Sequence, residues 1–310
     1  MATRELTSAP SMAALFARAG VAMIPHASRL PVVGPMVAGG GLDVPDLTLR
    51  LTGADVDGRR VADYDRVCGF ALRDVIPATY PHMLAFPLQL SLMTDPSFPF
   101  PAIGLVHIAN RITQHRPIRA GEQLAIDVWA TPVEDHPRGK QFSLRSEARA
   151  GYDLVWEEVS TNLRRSGGSG ERSGSTSGSD SGSTSGSDSH FLPSAENLLA
   201  TATWNVAGNL GRRYASVSGD YNPIHIHPLS ARLFGFPSAI AHGMWTKARC
   251  LAALESRLPD AFTVEVAFKR PILLPGRIEF CEAATTSGID FGVRDPAKGK
   301  SHLDGRVMFA

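Results

Sequence analysis

Tyr214-Ala215-Ser216-Val217-Ser218-Gly219-Asp220-Tyr221-Asn222-Pro223-Ile224-His225 is the stretch on which the reading of this chain turns. It sets an acid, Asp220, a short step ahead of an imidazole, His225, with Asn222-Pro223 between them. A residue before proline is disfavoured in the helical region, so the chain turns here instead of continuing a helix. A turn can aim both side chains into one small volume and hold a water between a carboxylate and an imidazole. That is equipment for acid–base chemistry on water. The same Ser-Gly-Asp-x-Asn-Pro string also serves as turn and helix-capping chemistry, so the stretch needs support from elsewhere in the chain.

Support comes from the run that follows Phe236-Pro237. After Ala241-His242-Gly243, the apolar positions Met244, Ala248, Leu251 and Ala252 fall at helical spacing, and alanine is frequent. The spacing predicts a loop entering a helix, with Gly243 near its first turn. Backbone N–H groups there lack helical partners and the helix dipole is positive. Glycine lets a ligand oxygen approach closely, which makes an oxyanion site. The competing reading is a glycine kept small for tight helix packing.

The two stretches together, Tyr214-x-x-Val217-Ser218-Gly219-Asp220-x-Asn222-Pro223-Ile224-His225 and Ala241-His242-Gly243-Met244, resemble the signature of MaoC-like, (R)-specific enoyl-thioester hydratases/dehydratases. Phe268-Lys269-Arg270-Pro271-Ile272-Leu273-Leu274-Pro275-Gly276 resembles that family's strand-to-turn segment. The resemblance covers residues 200–280. It implies an α+β hotdog fold, in which a curved antiparallel sheet wraps one long central helix. It implies Asp220 and His225 as the catalytic pair, Gly243 as the oxyanion and substrate-binding position, and Asn222 as a support that orients the loop or the water. The implied substrates are acyl thioesters of coenzyme A or acyl-carrier protein, and the implied reaction is reversible hydration of trans-2-enoyl thioesters to (R)-3-hydroxyacyl thioesters. The chemistry needs no metal and no cofactor.

Composition agrees with a globular protein of about two domains. At 310 residues the chain can bury a sizeable core, and 43% hydrophobic against 20% charged residues is ordinary for a soluble fold. A net charge of +1 argues against a nucleic-acid tail or a polybasic membrane patch. The three cysteines Cys68, Cys250 and Cys281 are widely spaced, form no metal pattern and suit a reducing, cytoplasmic compartment. The apolar run 12–25, broken by Arg18, reads as an amphipathic helix or strand packed on the first domain and not as a signal peptide.

Residues 166–189 contain no hydrophobic residue, and the octamer Gly-Ser-Thr-Ser-Gly-Ser-Asp-Ser occurs twice in tandem there. Such a segment cannot bury surface to offset its ordering entropy and reads as a linker, of engineered look, reaching about 27 Å. It separates a first repeat, 1–165, from a second, 190–310. The flanks echo each other. Tyr64-Asp65-Arg66-Val67-Cys68-Gly69-Phe70 follows the pattern of Tyr214 to Asp220, which sets Phe70 against Asp220 and Val75 against His225. The run 77–83 lines up with 237–243, so His82 opposes His242 and Met83 opposes Gly243; Arg116-Pro117-Ile118 pairs with Arg270-Pro271-Ile272. Strand-like runs follow in both halves, at 123–131, 141–150 and 153–162, and at 277–285, 290–294 and 302–309.

The expected architecture is therefore a double hotdog whose first repeat has lost its catalytic pair. Ile76, Tyr80, Met83, Leu84, Phe86, Leu88, Leu90 and Met93 are its candidates for an acyl-chain pocket or for plain core. His242 is expected to make a structural hydrogen bond near the helix start, and His227 to face solvent. Arg212, Arg213, Lys247, Arg249, Lys269 and Arg270 are read as a solvated basic face, some of which could meet carrier phosphates. Two alternatives stand beside the hydratase: a non-catalytic acyl-thioester-binding subunit, and a hotdog thioesterase, which would want an acid on the central helix. A monomer of two repeats and a homodimer are both compatible with the sequence. Limited proteolysis is expected to cut within 166–189 and leave two fragments that co-elute on size exclusion.

Overall fold

The structure, a computed structural model, describes residues 2–21, 43–165 and 192–310. The 166–189 segment and residues 22–25 of the N-terminal run lie outside the described residues. Twelve strands form one sheet: β1 (Ala2–Leu6), β2 (Leu47–Asp55), β3 (Val106–Gln114), β4 (Gln123–Ala130), β5 (Glu134–His136), β6 (Gly139–Ala150), β7 (Asp153–Arg165), β8 (Leu199–Val206), β9 (Phe262–Phe268), β10 (Gly276–Thr285), β11 (Gly288–Arg294) and β12 (Ser301–Phe309). The order is β1-β2-β4-β6-β7-β3-β9-β12-β11-β10-β8, with β5 paired to β6. The sheet thus holds two five-strand arrays of one topology, β2-β4-β6-β7-β3 and β8-β10-β11-β12-β9, placed back to back. The β1–β2 pair is parallel and every other pairing is antiparallel.

The arrays meet along β3 and β9, in register from Ala109 opposite Ala267 to Gln114 opposite Phe262. Side chains lock this seam. Arg111 and Glu265 face each other and form an ion pair at 2.9 Å, and the Thr113 and Thr263 hydroxyls lie 3.0 Å apart. Burial alternates along β9, as the period of two requires of a sheet with one covered face.

The helices are α1 (Met12–Val21), α2 (Gly58–Cys68), α3 (Pro81–Met93), α4 (Leu210–Ser218), α5 (Pro223–Ile226), α6 (Pro228–Leu233) and α7 (Gly243–Leu254). The central helix α3 packs on β2, β4 and β6, and α7 packs on β11. Both are largely buried, which is why their sequences lack a clean polar face. One hydrophobic cluster runs through both arrays, joining Leu88, Ile112 and Val128 to Val264, Leu251 and Phe291. Tyr64 on α2 and Tyr214 on α4 are both buried, with ring centroids 6.2 Å apart across the junction. No helix among the described residues is long and apolar enough to cross a membrane.

The expected strands all form, and their neighbours β2, β3, β8 and β9 join them. Two correspondences are corrected. The run 77–83 does not stand beside 237–243, because the central helices begin at Pro81 and Gly243, which sets Pro81 and not Met83 against Gly243. Val75 bridges Arg119 in the first array, and Ile240 bridges Leu273 in the second; Ile76 and Ala241 donate to Ile118 and Ile272, each at 2.9 Å. Val75 therefore stands where Ile240 stands and not where His225 stands. The first array runs almost directly from the cap glycine Gly69 to this bridge, whereas the second inserts α5 and α6 between Gly219 and Ile240. Phe70 follows its cap glycine as Asp220 follows Gly219, but the first array has no segment to carry a counterpart of His225, which an ungapped comparison of sequence cannot reveal.

Leu88 is fully buried within the shared core and Leu72 is 59% exposed. Leu88→Ala is expected to lower stability by about 2–5 kcal/mol, and Leu72→Ala by less than about 0.5 kcal/mol, in urea titrations followed by circular dichroism.

Candidate active site

The helix α4 presents Leu210, Tyr214 and Ser218 on one buried stripe and stops at Gly219. Gly219 has φ +76°, a left-handed conformation that glycine takes without strain, and its N–H closes on Ala215 O at 2.8 Å. The chain reverses there and releases Asp220. Ser218 Oγ accepts the Asp220 N–H at 3.1 Å, and Asp220 Oδ1 accepts the Asn222 N–H at 3.1 Å. Asn222 then caps α5, its Oδ1 accepting the Ile224 N–H at 3.4 Å, while Pro223 occupies the first turn. The turn chemistry and the candidate site are thus one device: capping fixes the loop that aims the acid and the imidazole.

His225 is 9% exposed, and its Nδ1 lies 2.8 Å from Ile240 O. A carbonyl only accepts, so Nδ1 carries the proton and Nε2 is left with its lone pair. Burial lowers the His225 pKa from 6.5, opposed by the Asp220 charge and the bond to Ile240, and so favours the neutral ring. His242 is fixed in the opposite tautomer. Its Nε2 donates to the Asp220 backbone carbonyl at 3.0 Å, which ties the acid's loop to the start of α7. Its ring stacks on that of His225 with centroids 3.7 Å apart and leans on Tyr214 at 4.8 Å. Burial, and then the neighbouring His225, push the His242 pKa well below 6.5. This is the structural hydrogen bond expected of it.

One nitrogen or oxygen from each of Asp220, His225 and His242 lies within 4.8 Å of the others, a spacing that a metal ion can use. The donor set fits one poorly. His225 Nδ1 and His242 Nε2 are committed to carbonyls, and His242 Nδ1 is fully buried without a partner. That leaves Asp220 and His225 Nε2 as the open donors, fewer than a zinc site uses.

Gly243 opens α7 after His242, and no side chain among the described residues caps the helix. Its N–H is therefore a free donor at the positive end of the helix dipole. A Cβ at Gly243 would lie 3.0 Å from the Phe268 ring, so glycine also serves close packing here. The packing reading of this residue is therefore met, and the same geometry leaves its N–H open toward the cavity.

Asp220, Asn222, His225 and Gly243 line a single cavity of about 440 Å³. From the first array it takes Met83, Phe86, Leu90 and Met93, while Ile76, Tyr80 and Leu88 belong to the core and Leu84 packs against it. Phe16 and Ala19 of α1 complete the wall, so the N-terminal run is the amphipathic helix expected. Lys269, Arg270 and His302 also line the cavity; Lys269 Nζ lies 3.7 Å from Asp304, and Arg270 lies 3.8 Å from Glu196. Arg212 and Arg213 are exposed, and His227 is exposed while its Nδ1 caps α6 by accepting the Leu229 N–H at 3.1 Å.

Two members of the expected basic face are elsewhere. Arg249 stacks on Trp204 at 4.5 Å. Lys247 is completely buried, and its Nζ donates to Asn110 Oδ1 at 2.5 Å, Val264 O at 3.2 Å and Asn110 O at 3.3 Å. Burial lowers its pKa to about 7 against the pull of Glu158 and Glu265. Its partners lie on strands far away in sequence, so no local pattern distinguishes it from a solvated lysine. Tyr214, which the i, i+4 stripe Leu210–Tyr214–Ser218 marks as facing inward, places its hydroxyl 3.8 Å from Met83 Sδ at the cavity.

Residues 195–302 match the family described as MaoC like domain. Over 266 residues the chain is 37% identical to 3-hydroxyacyl-thioester dehydratase X of Mycobacterium tuberculosis, covering 85% of this chain and 90% of that protein. The crystal structure of HtdX of M. tuberculosis aligns with a TM-score of 0.72 at 35% identity, over 85% of this chain and 100% of that one. A further M. tuberculosis protein, described as having a double hotdog fold, aligns with a TM-score of 0.51 at 13% identity over 83% and 94% of the two chains, a likeness of fold alone. Identity at that level along most of both chains, with Asp220, His225 and Gly243 inside the matched region, shows that this chain belongs to the MaoC-like family and takes its double-hotdog form.

Proposed function

We propose that the chain is a hydro-lyase that reversibly hydrates trans-2-enoyl thioesters to (R)-3-hydroxyacyl thioesters in fatty acid metabolism. The observation that carries this reading is the convergence of Asp220, neutral His225 and the uncapped start of α7 on one cavity. The thioester carbonyl accepts a hydrogen bond from the Gly243 N–H, which stabilises enolate charge as it develops. Water sits between the Asp220 carboxylate and His225 Nε2, facing the β-carbon. In hydration its oxygen bonds to the β-carbon, one of its protons passes to the pair, and a proton is returned to the α-carbon on the same face. Dehydration is the reverse, with the α-proton removed and the hydroxyl protonated as it leaves. No net proton is consumed, and the addition is syn because both transfers use one face.

The division of labour follows the two repeats. Residues 190–310 supply the acid–base pair and the oxyanion site, and residues 1–165 supply cavity wall. Asn222 positions the loop through its cap. Lys269, Arg270 and His302 suit the phosphates of a phosphopantetheine carrier, shared by coenzyme A and acyl-carrier protein. The named relatives, 3-hydroxyacyl-thioester dehydratase X and the mitochondrial 3-hydroxyacyl-[acyl-carrier-protein] dehydratase of Arabidopsis thaliana, support an acyl thioester substrate. The helix α7, Gly-Met-Trp-Thr-Lys-Ala-Arg-Cys-Leu-Ala-Ala-Leu, offers no carboxylate to aim water at the thioester carbon, which disfavours a thioesterase.

Incubation with crotonyl-CoA is expected to remove the conjugated enoyl absorbance without releasing free thiol; thiol release, or no change, would reject the reading. Asp220→Asn and His225→Ala are each expected to lower turnover at least about a hundredfold while the protein stays folded, judged by circular dichroism. Normal turnover in either folded variant would remove that residue from the mechanism.

The pH profile supplies a separate check. Burial holds His225 neutral to a lower pH than a free imidazole, so the base form persists as pH falls through about 6.5. The acid limb of kcat/KM for hydration is expected to have its midpoint below that of a free imidazole, about 6.5. An acid limb centred above about 7 would contradict the assignment of His225 as the base.

A further inference from the structure

The cavity beyond the reacting centre is not a plain alkyl tube. Beside Met83, Phe86 and Leu90, the first array lines it with His82, Gln89, Ser160 and Asn162. A fully buried carboxylate, Glu158, organises these groups from behind. His82 Nδ1 lies 2.9 Å from Glu158 Oε2, and Gln89 Nε2 donates to the same oxygen at 2.9 Å. Asn110 Nδ2 donates to Glu158 Oε1 at 2.7 Å and to Ser160 Oγ at 2.9 Å. Asn162 Nδ2 donates to the Ser160 carbonyl at 3.2 Å. Burial pushes the Glu158 pKa up, but His82, Asn110 and Lys247 hold it down to about 2, so it is ionised and the His82 Nδ1 proton points at it.

What remains of each lining group can be read off these bonds. His82 Nε2, Gln89 Oε1 and Asn162 Oδ1 have no protein partner among the described residues, and the Ser160 hydroxyl hydrogen is undirected. Gln89 Oε1 and Asn162 Oδ1 can accept, the Ser160 hydroxyl can donate, and His82 Nε2 adds a further polar atom, all held in place by the Glu158 network. A saturated alkyl chain laid across them would remove their water and return no hydrogen bond. A hydroxyl can donate to one of the acceptors and accept from Ser160 at once, whereas a carbonyl could answer only the donor.

We propose that this wall is a binding subsite for a hydroxyl substituent on the acyl chain beyond the reacting carbons, so that the preferred substrates are hydroxylated 2-enoyl thioesters. The inference rests on the hydratase reading and names the substrate class of that same site. Sites built to hydrogen-bond a substrate hydroxyl discriminate against the analogue lacking it, whereas apolar pockets gain little from one methylene.

The test compares a medium-chain trans-2-enoyl-CoA with a positional series of its monohydroxy isomers of equal length. At least one isomer is expected to exceed the parent in kcat/KM by about tenfold. In Asn162→Leu that advantage is expected to vanish while crotonyl-CoA turnover and melting temperature stay near wild type; in Ser160→Ala it is expected to vanish as well, with a lower melting temperature from the lost Asn110 bond. The proposal is overturned if the unsubstituted chain matches or beats every isomer, or if both folded variants lower parent and hydroxylated substrates alike. Should crotonyl-CoA not be hydrated at all, the hydratase reading fails on its own. The subsite is then decided by calorimetric affinities of the same acyl-CoA series, where equal binding of parent and isomers would reject it.

Discussion

The antiparallel pairing of β3 with β9 is the constraint on which the rest of this molecule depends. It turns two arrays into one continuous sheet and places α7 of the second array against strands of both. Lys247 makes that placement specific. Its ammonium, with no access to water, donates to Asn110 on β3 and to the Val264 carbonyl on β9. Lys247 sits one turn after Gly243, so the contact that clamps the helix to the seam also sets where its free N–H groups point. A buried charge is tolerated only when paired and hydrogen-bonded, and Glu158 supplies the opposite charge through Asn110. The network that secures the junction is therefore continuous with the wall of the cavity.

The two arrays share a topology but not the side chains they bring to the cavity. Both carry a helix ended by a left-handed glycine, Gly69 or Gly219, and both carry the bridge that follows, Val75–Arg119 or Ile240–Leu273. They differ by the inserted α5 and α6, which bring Asn222 and His225. Without the insertion the first array has nowhere to hold an imidazole opposite an acid. Its central helix α3 and strand β7 are left to face the cavity with side chains for binding. Asymmetry at one connection thus gives one acid–imidazole cluster facing a cavity lined by both arrays.

The histidines show how placement decides role. His225 and His242 stack on each other, yet hydrogen bonds to Ile240 and Asp220 fix them in opposite tautomers. One is left with a lone pair that can take a proton. The other holds the loop of Asp220 to the start of α7, and its second nitrogen has no partner and no solvent. His82, which the sequence echo set opposite His242, lies inside the first turn of α3 and is committed to Glu158 instead.

Local sequence determined a good deal of this. The Gly219-Asp220 reversal, the Asn222-Pro223 cap and the helix beginning at Gly243 follow from short-range rules of backbone conformation, and together with the family resemblance they point to Asp220, His225 and Gly243. Alternating hydrophobicity was enough for the strands of β4, β6, β7, β10, β11 and β12. Other features were decided only by the tertiary structure, because they depend on residues distant in the chain. The seam between β3 and β9, the burial of Lys247 against Asn110, the stacking of His225 on His242 and the Glu158 network each join elements that no local pattern connects. The insertion of α5 and α6 belongs with them, since a gap between repeats becomes visible only when the bridges on either side are aligned in space. A charged side chain reads as solvated until its partners are brought to it, and the fold alone brings them.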